Sequence, residues 1–225
     1  MASSETSPDL FADARLHMVD SQIRPNRVQD ARILAAMRRL PRERFLPPEL
    51  AASAYIDEDV PLGHGRVLME PMAIARLIQL AGPLQGERAL VVAAGVGYGA
   101  AVLAACGPRV TALEEDPTLL ALAQSALTAV APEVTLVSGP LAAGWASGAP
   151  YDVILIEGAV SEIPPALARQ LRNERGRLVT VMRSEGPVGQ AVLAEATGAG
   201  LRAQPMFDCG TPLLPSLRTA PAFVF

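Results

Sequence analysis

The segment Arg88–Gly99, RALVVAAGVGYG, is an apolar run that breaks into three glycines spaced by two, and the next apolar run ends in Glu114. A strand ending in Gly95-Val96-Gly97 can turn sharply without a Cβ clash. The helix that follows then aims its N-terminal N–H groups at whatever lies over the turn. An acidic side chain nineteen positions after Gly95 stands at the end of the neighbouring strand, where it can take both hydroxyls of a ribose. The pattern predicts a βαβ unit for a nucleotide-type ligand. A tight βα turn with a solvent-facing Glu would leave the same trace.

The flanking sequence extends this unit. Strands are predicted at Ala89–Ala93, Val110–Leu113, Val134–Val137, Val153–Ile156 and Leu178–Met182. Between them lie helices at Tyr98–Ala105, at Pro117–Ala129 with Asp116 as its N-cap, and from Ser161 to near Leu171. A weaker helix is read over Val188–Ala199, before final β segments ending in Ala222–Phe225. Repeated units of this length predict a Rossmann-like α/β fold, with a mostly parallel, doubly wound sheet covered on both faces.

An N-terminal helical extension precedes the sheet. Residues 1–10 are polar and read as a disordered tail, and Leu16, Val19 and Ile23 mark a helix over Phe11–Arg24. Asn26 and Gln29 have capping-box spacing ahead of a second helical face, Val28, Ala31, Leu34, Met37 and Leu40. Pro41–Pro71 is irregular but too apolar for a disordered segment, so it is read as a functional covering loop. A short helix follows over Pro71–Leu80. The expected organisation is a tail (1–10), helices and covering loop (11–82) and a core (83–225), with 11–225 forming one globular unit.

The chain of 225 residues has a net charge of −4 and no Lys, which argues against a nucleic-acid partner. Arg38, Arg39, Arg42 and Arg44 cluster, but they flank a helix end where cations suit the dipole. Cys106 and Cys209 show no metal-ligand or disulfide spacing, so no metal is expected. No apolar run is long enough to span a bilayer, and MASSETSPDL has no export-signal pattern, so no membrane partner and a cytoplasmic setting are expected.

Gly95-x-Gly97-x-x-Ala100 also satisfies the dinucleotide fingerprint. Against a nicotinamide enzyme, about 110 residues follow Glu114, too few for a complete dinucleotide fold plus a substrate domain. An S-adenosylmethionine methyltransferase needs only one such domain and commonly places helices before the first strand. The segment Met18–Gly65, MVDSQIRPNRVQDARILAAMRRLPRERFLPPELAASAYIDEDVPLGHG, resembles the N-terminal region of protein-L-isoaspartate O-methyltransferases. The likeness continues through GYGAAVLA (Gly97–Ala104), APYDVILIEGAVSEIPPALARQL (Ala149–Leu171) and GRLV (Gly176–Val179). It implies methyl transfer from S-adenosyl-L-methionine to the α-carboxylate of isoaspartyl residues in damaged proteins and peptides, for repair. The oligomeric state stays open.

The resemblance places the cofactor over Ala93, Gly95, Gly97, Glu114, Glu115, Pro140, Leu141 and Glu157. The chain departs from the family pattern at several of these positions. Met69 stands where the family has an active-site Ser, Val91 and Ala93 where it has an acidic residue and a glycine, and Pro140 where it has an Asp. Met69 has no hydroxyl to donate, and Pro140 offers neither carboxylate nor N–H. Ala93 is tolerable if its φ stays negative. Arg66 is new in the covering loop and, with Met69, a catalytic-site candidate: it either holds a carboxylate by a bidentate contact in place of the lost hydroxyls or faces solvent; Glu157, read as lying beyond the fourth strand, is either a replacement contact or an exposed loop residue. His64 reads as a turn residue, Tyr98 as packing, and Met69 and Met72 as lid packing. These losses keep a second reading open: a catalytically impaired relative acting as a scaffold or using another acceptor.

Overall fold

The computed structural model describes residues 8–184 and 186–218. Helix α1 (Pro8–His17) runs directly into a π turn, Met18–Ile23, that buries Met18, Val19 and Ile23. Residues 8–10 of the expected tail are therefore helical, while residues 1–7 lie outside the described residues. Helix α2 (Ala31–Arg39) is capped by Asp30, whose extended backbone lets its carboxylate accept from Arg32 N at 2.9 Å. This corrects the capping-box reading. Asn26 instead donates to Gln22 O, and Gln29 N donates to Gln79 Oε1.

The irregular segment holds two 3₁₀ turns, Arg42–Phe45 and Pro48–Ser53, then an antiparallel hairpin of β1 (Val60–Gly63) and β2 (Arg66–Leu68). Pro71 opens α3 (Pro71–Ala81), and Gly82, at φ +52°, closes it. The βα alternation follows: β3 (Arg88–Val92), α4 (Tyr98–Ala105), β4 (Arg109–Glu114), α5 (Pro117–Val130), β5 (Thr135–Ser138), β6 (Val153–Val160), the short α6 (Pro165–Ala168) and β7 (Arg177–Met182). Helix α6 stops well before Leu171, where Tyr151 and Leu171 form a parallel bridge.

After β7 comes a hairpin of β8 (Gly189–Thr197) and β9 (Gly200–Cys209) where a helix over Val188–Ala199 was expected. The Ala-rich run favours a helix locally, but β8 pairs along its length with β7 and β9, so tertiary pairing overrides propensity. The expected β segment at 222–225 lies outside the described residues.

The seven-stranded sheet has the order β5-β4-β3-β6-β7-β8-β9, parallel from β5 to β7 and antiparallel across β8. Alternate residues of β3 serve opposite faces. Ala89 and Val91 join one core with α2, α3, α4 and α5, whereas Leu90 and Val92 join a second with Leu141, Leu167, Leu214 and Leu217. The strand order reverses between β3 and β6, so the crevice at their carboxyl ends is the switch point where ligands of such sheets bind. Among the described residues no helix is long and apolar enough to cross a membrane.

Candidate active site

The glycine turn sits at that switch point, and its residues are special for different reasons. Gly95 (φ +57°) and Gly97 (φ +92°) need the left-handed region, and a Cβ on Gly97 would lie 3.0 Å from the Leu127 side chain of α5. Gly99 needs no unusual φ, but a Cβ there would collide with Glu157 Oε1. Ala93 takes φ +59°, so the condition under which it would be tolerable is not met. A left-handed alanine costs about 1–2 kcal/mol. Ala93→Gly is therefore expected to stabilise the protein by about 0.5–1 kcal/mol in urea unfolding, net of the entropy an added glycine gives the unfolded chain. A loss of stability would show that another feature supports this conformation.

Glu114 ends β4 fully buried, and its carboxylate is heavily engaged. Oε2 accepts from Gly95 N at 2.7 Å, and Oε1 accepts from Glu115 N at 2.9 Å and Asp116 N at 3.0 Å. Arg66, 6% exposed on β2, completes the set by donating Nη1 to Oε1 and Nη2 to Oε2, both at 2.9 Å. Nη2 also donates to Ala93 O at 2.9 Å. Arg66 does not face solvent, and the carboxylate it holds is that of Glu114, which neither expectation for it named. Arg66 therefore reaches across from the covering hairpin to the glycine turn and the end of β4 at once.

Glu157 lies inside β6 and not beyond it. The register of β6 against β7 shifts between Leu155 and Ala159, and Gly158 takes φ +145°. Glu157 is partly buried in this irregularity, with Oε1 enclosed and unpartnered among the described residues. Desolvation pushes its carboxyl up to about 8; nearby Glu114 adds to the rise, and Arg66 and Arg42 oppose it. The exposed-loop expectation for Glu157 is corrected accordingly.

The other expected positions are more peripheral. Met69 is 2% exposed and belongs to the core, and Met72 is partly buried at the start of α3. Glu115 is exposed and accepts from Leu141 N at 3.2 Å, joining the ends of β4 and β5. Leu141 is buried and Pro140 exposed. His64 is a turn residue at φ +52°, and its Nδ1 lies 2.6 Å from Asp116 Oδ2. That contact, with the backbone donors of α5, holds the Asp116 carboxyl below its ordinary range.

Sequence reasoning missed Arg42. It is wholly buried, donates Nε to Ala54 O and Nη2 to Met69 O at 2.6 Å each, and stacks 4.7 Å from the Tyr98 ring centroid. Tyr98 packs as expected, edge-on to Phe45. The available signal was position: Arg42 lies between Leu40 and Phe45, both of which are core residues. Its place in an Arg cluster suggested only a complement to the helix dipole.

In this arrangement the place that an adenosyl group would take is covered by the chain itself. Every residue from Ala93 to Gly99 is buried by the protein itself, and both oxygens of Glu114 are already committed. The residue types suit such a ligand, and Arg66 holds the edge of Glu114 that its ribose would take.

Comparison with known proteins agrees with the fold. The family model for protein-L-isoaspartate(D-aspartate) O-methyltransferase matches residues 14–196. A protein-L-isoaspartate O-methyltransferase of Methylorubrum extorquens is 41% identical over 221 residues, covering 96% of this chain and 95% of its own. One from Koribacter versatilis is 36% identical over 221 residues, covering 96% and 98%. Among solved structures, a Plasmodium falciparum chain described as a protein-L-isoaspartate O-methyltransferase, in complex with S-adenosyl-L-homocysteine, has a TM-score of 0.75 at 19% identity, covering 90% of this chain and 98% of its own. A second structure, of a protein-L-isoaspartate O-methyltransferase, has a TM-score of 0.78 at 22% identity, covering 92% and 67%. At these identities the structural likeness speaks for the fold alone.

Proposed function

Because the chain belongs to the protein-L-isoaspartate(D-aspartate) O-methyltransferase family, we propose that it transfers a methyl group from S-adenosyl-L-methionine to the α-carboxylate of isoaspartyl residues in damaged proteins and peptides. The observation that carries this reading is Glu114, held by Gly95 N at the end of β4 beside the switch point of the sheet. In this reading Gly95 and Gly97 lie beneath the cofactor, Glu114 faces its ribose, and Glu115, Pro140 and Leu141 border it at the ends of β4 and β5. Ala93, at the end of β3, and Glu157, within β6, border the cofactor, and Met69 stands at the position of the family's Ser. A carboxylate of ordinary pKa, about 3.9, is already ionised at neutral pH, so the acceptor needs no general base. What the protein supplies is positioning and exclusion of water. A cytoplasmic setting belongs to the same reading, and Cys106 and Cys209 are both unbridged thiols.

The test is transfer of tritiated methyl to an isoaspartyl peptide, with the aspartyl isomer as control. Incorporation into the first peptide alone is expected; label in neither refutes the proposal. One observation favours a second reading, a relative that keeps the fold without turnover: the carboxylate of Glu114 is already filled. That reading expects no label in either peptide and no heat on titration with S-adenosyl-L-homocysteine.

A further inference from the structure

We infer that Arg66 is an intramolecular occupant of the carboxylate an adenosyl ligand needs, and that it thereby sets the affinity for that ligand. The inference rests on the methyltransferase reading for the identity of the ligand, and on the geometry of β2 for the rest.

A carboxylate offers about four lone-pair sites. Five N–H contacts already converge on Glu114: two from Arg66 and one each from the backbones of Gly95, Glu115 and Asp116. The three backbone donors belong to the turn and the end of β4, so they orient the carboxylate whatever else binds. Only the guanidinium comes from a separate element, and it takes the edge that two ribose hydroxyls would use. Arg66 Nη2 and Leu62 Cδ1 also lie 3.9 and 4.0 Å from where a Cβ on Gly95 would stand. The hairpin thus covers the glycine turn on the side that the missing Cβ leaves open.

The base of the hairpin is anchored in the core by Val60 and Leu68, while Arg66 reaches Glu114 from its far strand. Among the described residues the hairpin pairs with no strand of the seven-stranded sheet and forms a separate two-stranded one. Its tip is fastened to α5 by His64, 73% exposed, through Asp116. A ligand that requires Glu114 binds only the fraction of molecules in which Arg66 has left. Its apparent dissociation constant is raised by the inverse of that fraction.

Calorimetric titration with S-adenosyl-L-homocysteine tests this on the wild type, Arg66→Ala and Arg66→Gln, with folding checked by circular dichroism. Both variants are expected to bind at least tenfold more tightly than the wild type. If the wild type binds and methylates an isoaspartyl peptide but the variants bind no more tightly, the inference fails and the methyltransferase reading stands. Tighter binding by the variants with no methylation by the wild type supports the inference and removes that reading. No binding by any of the three overturns both. Should the variants fail to fold, hydrogen exchange on the wild type decides: saturating ligand is expected to speed exchange at Arg66–Leu68, and slower exchange overturns the inference.

Discussion

Glu114→Ala is expected to cost about 3–5 kcal/mol of folding stability, because it strips a buried guanidinium of its counter-charge. In a chain of this size that lowers the melting temperature by about 10 °C. The same change removes the acceptor for Gly95 N, Glu115 N and Asp116 N, which shape the turn and the entry to α5. Arg66→Ala alone is expected to cost less, since those three donors still satisfy the remaining carboxylate. The double substitution should then lose clearly less than the sum of the two single ones, since the charges leave together. Thermal unfolding of the four proteins measures this coupling. Additive losses would mean that Arg66 and Glu114 do not stabilise one another.

Glu157→Gln is expected to stabilise the protein in alkaline solution and to flatten its dependence on pH. The Glu157 carboxyl is raised to about 8 in the folded chain from an unfolded value near 4.5, chiefly by desolvation. Between these values the folded state holds a proton that the unfolded state has released, so stability falls as pH rises. The contribution is fully present below about pH 4.5 and is lost by about pH 8. Partial exposure of the residue discounts the effect to about 2–4 kcal/mol across that window. Glutamine has the shape of the protonated acid and cannot ionise, so its melting temperature should lose this slope. Parallel melting curves for the two proteins from pH 5 to 9 would assign the group an ordinary pKa.

Both predictions concern groups that local pattern located without revealing their environment. The glycine turn, the strands around it, the Asp116 cap and the Glu at the end of β4 were legible because apolar periodicity and turn chemistry act within a few residues. The β8–β9 hairpin was not, because small apolar residues suit either state and pairing with β7 decided between them. Glu157 was misplaced beyond its strand because the β6 irregularity depends on the neighbouring β7. Arg42 was read as one of several cations flanking a helix end because nothing local shows that Ala54 O and Met69 O wait for it inside the fold.

By itself the sequence determined the parallel βα core and the chemical types at the switch point: an apolar strand, a glycine-rich turn, and a carboxylate at the next strand end. Only the tertiary structure decided who uses that carboxylate. Arg66 and Glu114 are 48 residues apart and meet because the covering hairpin folds back over the sheet edge. The attraction between two such charges depends on separation and burial, quantities that a linear order of residues does not contain.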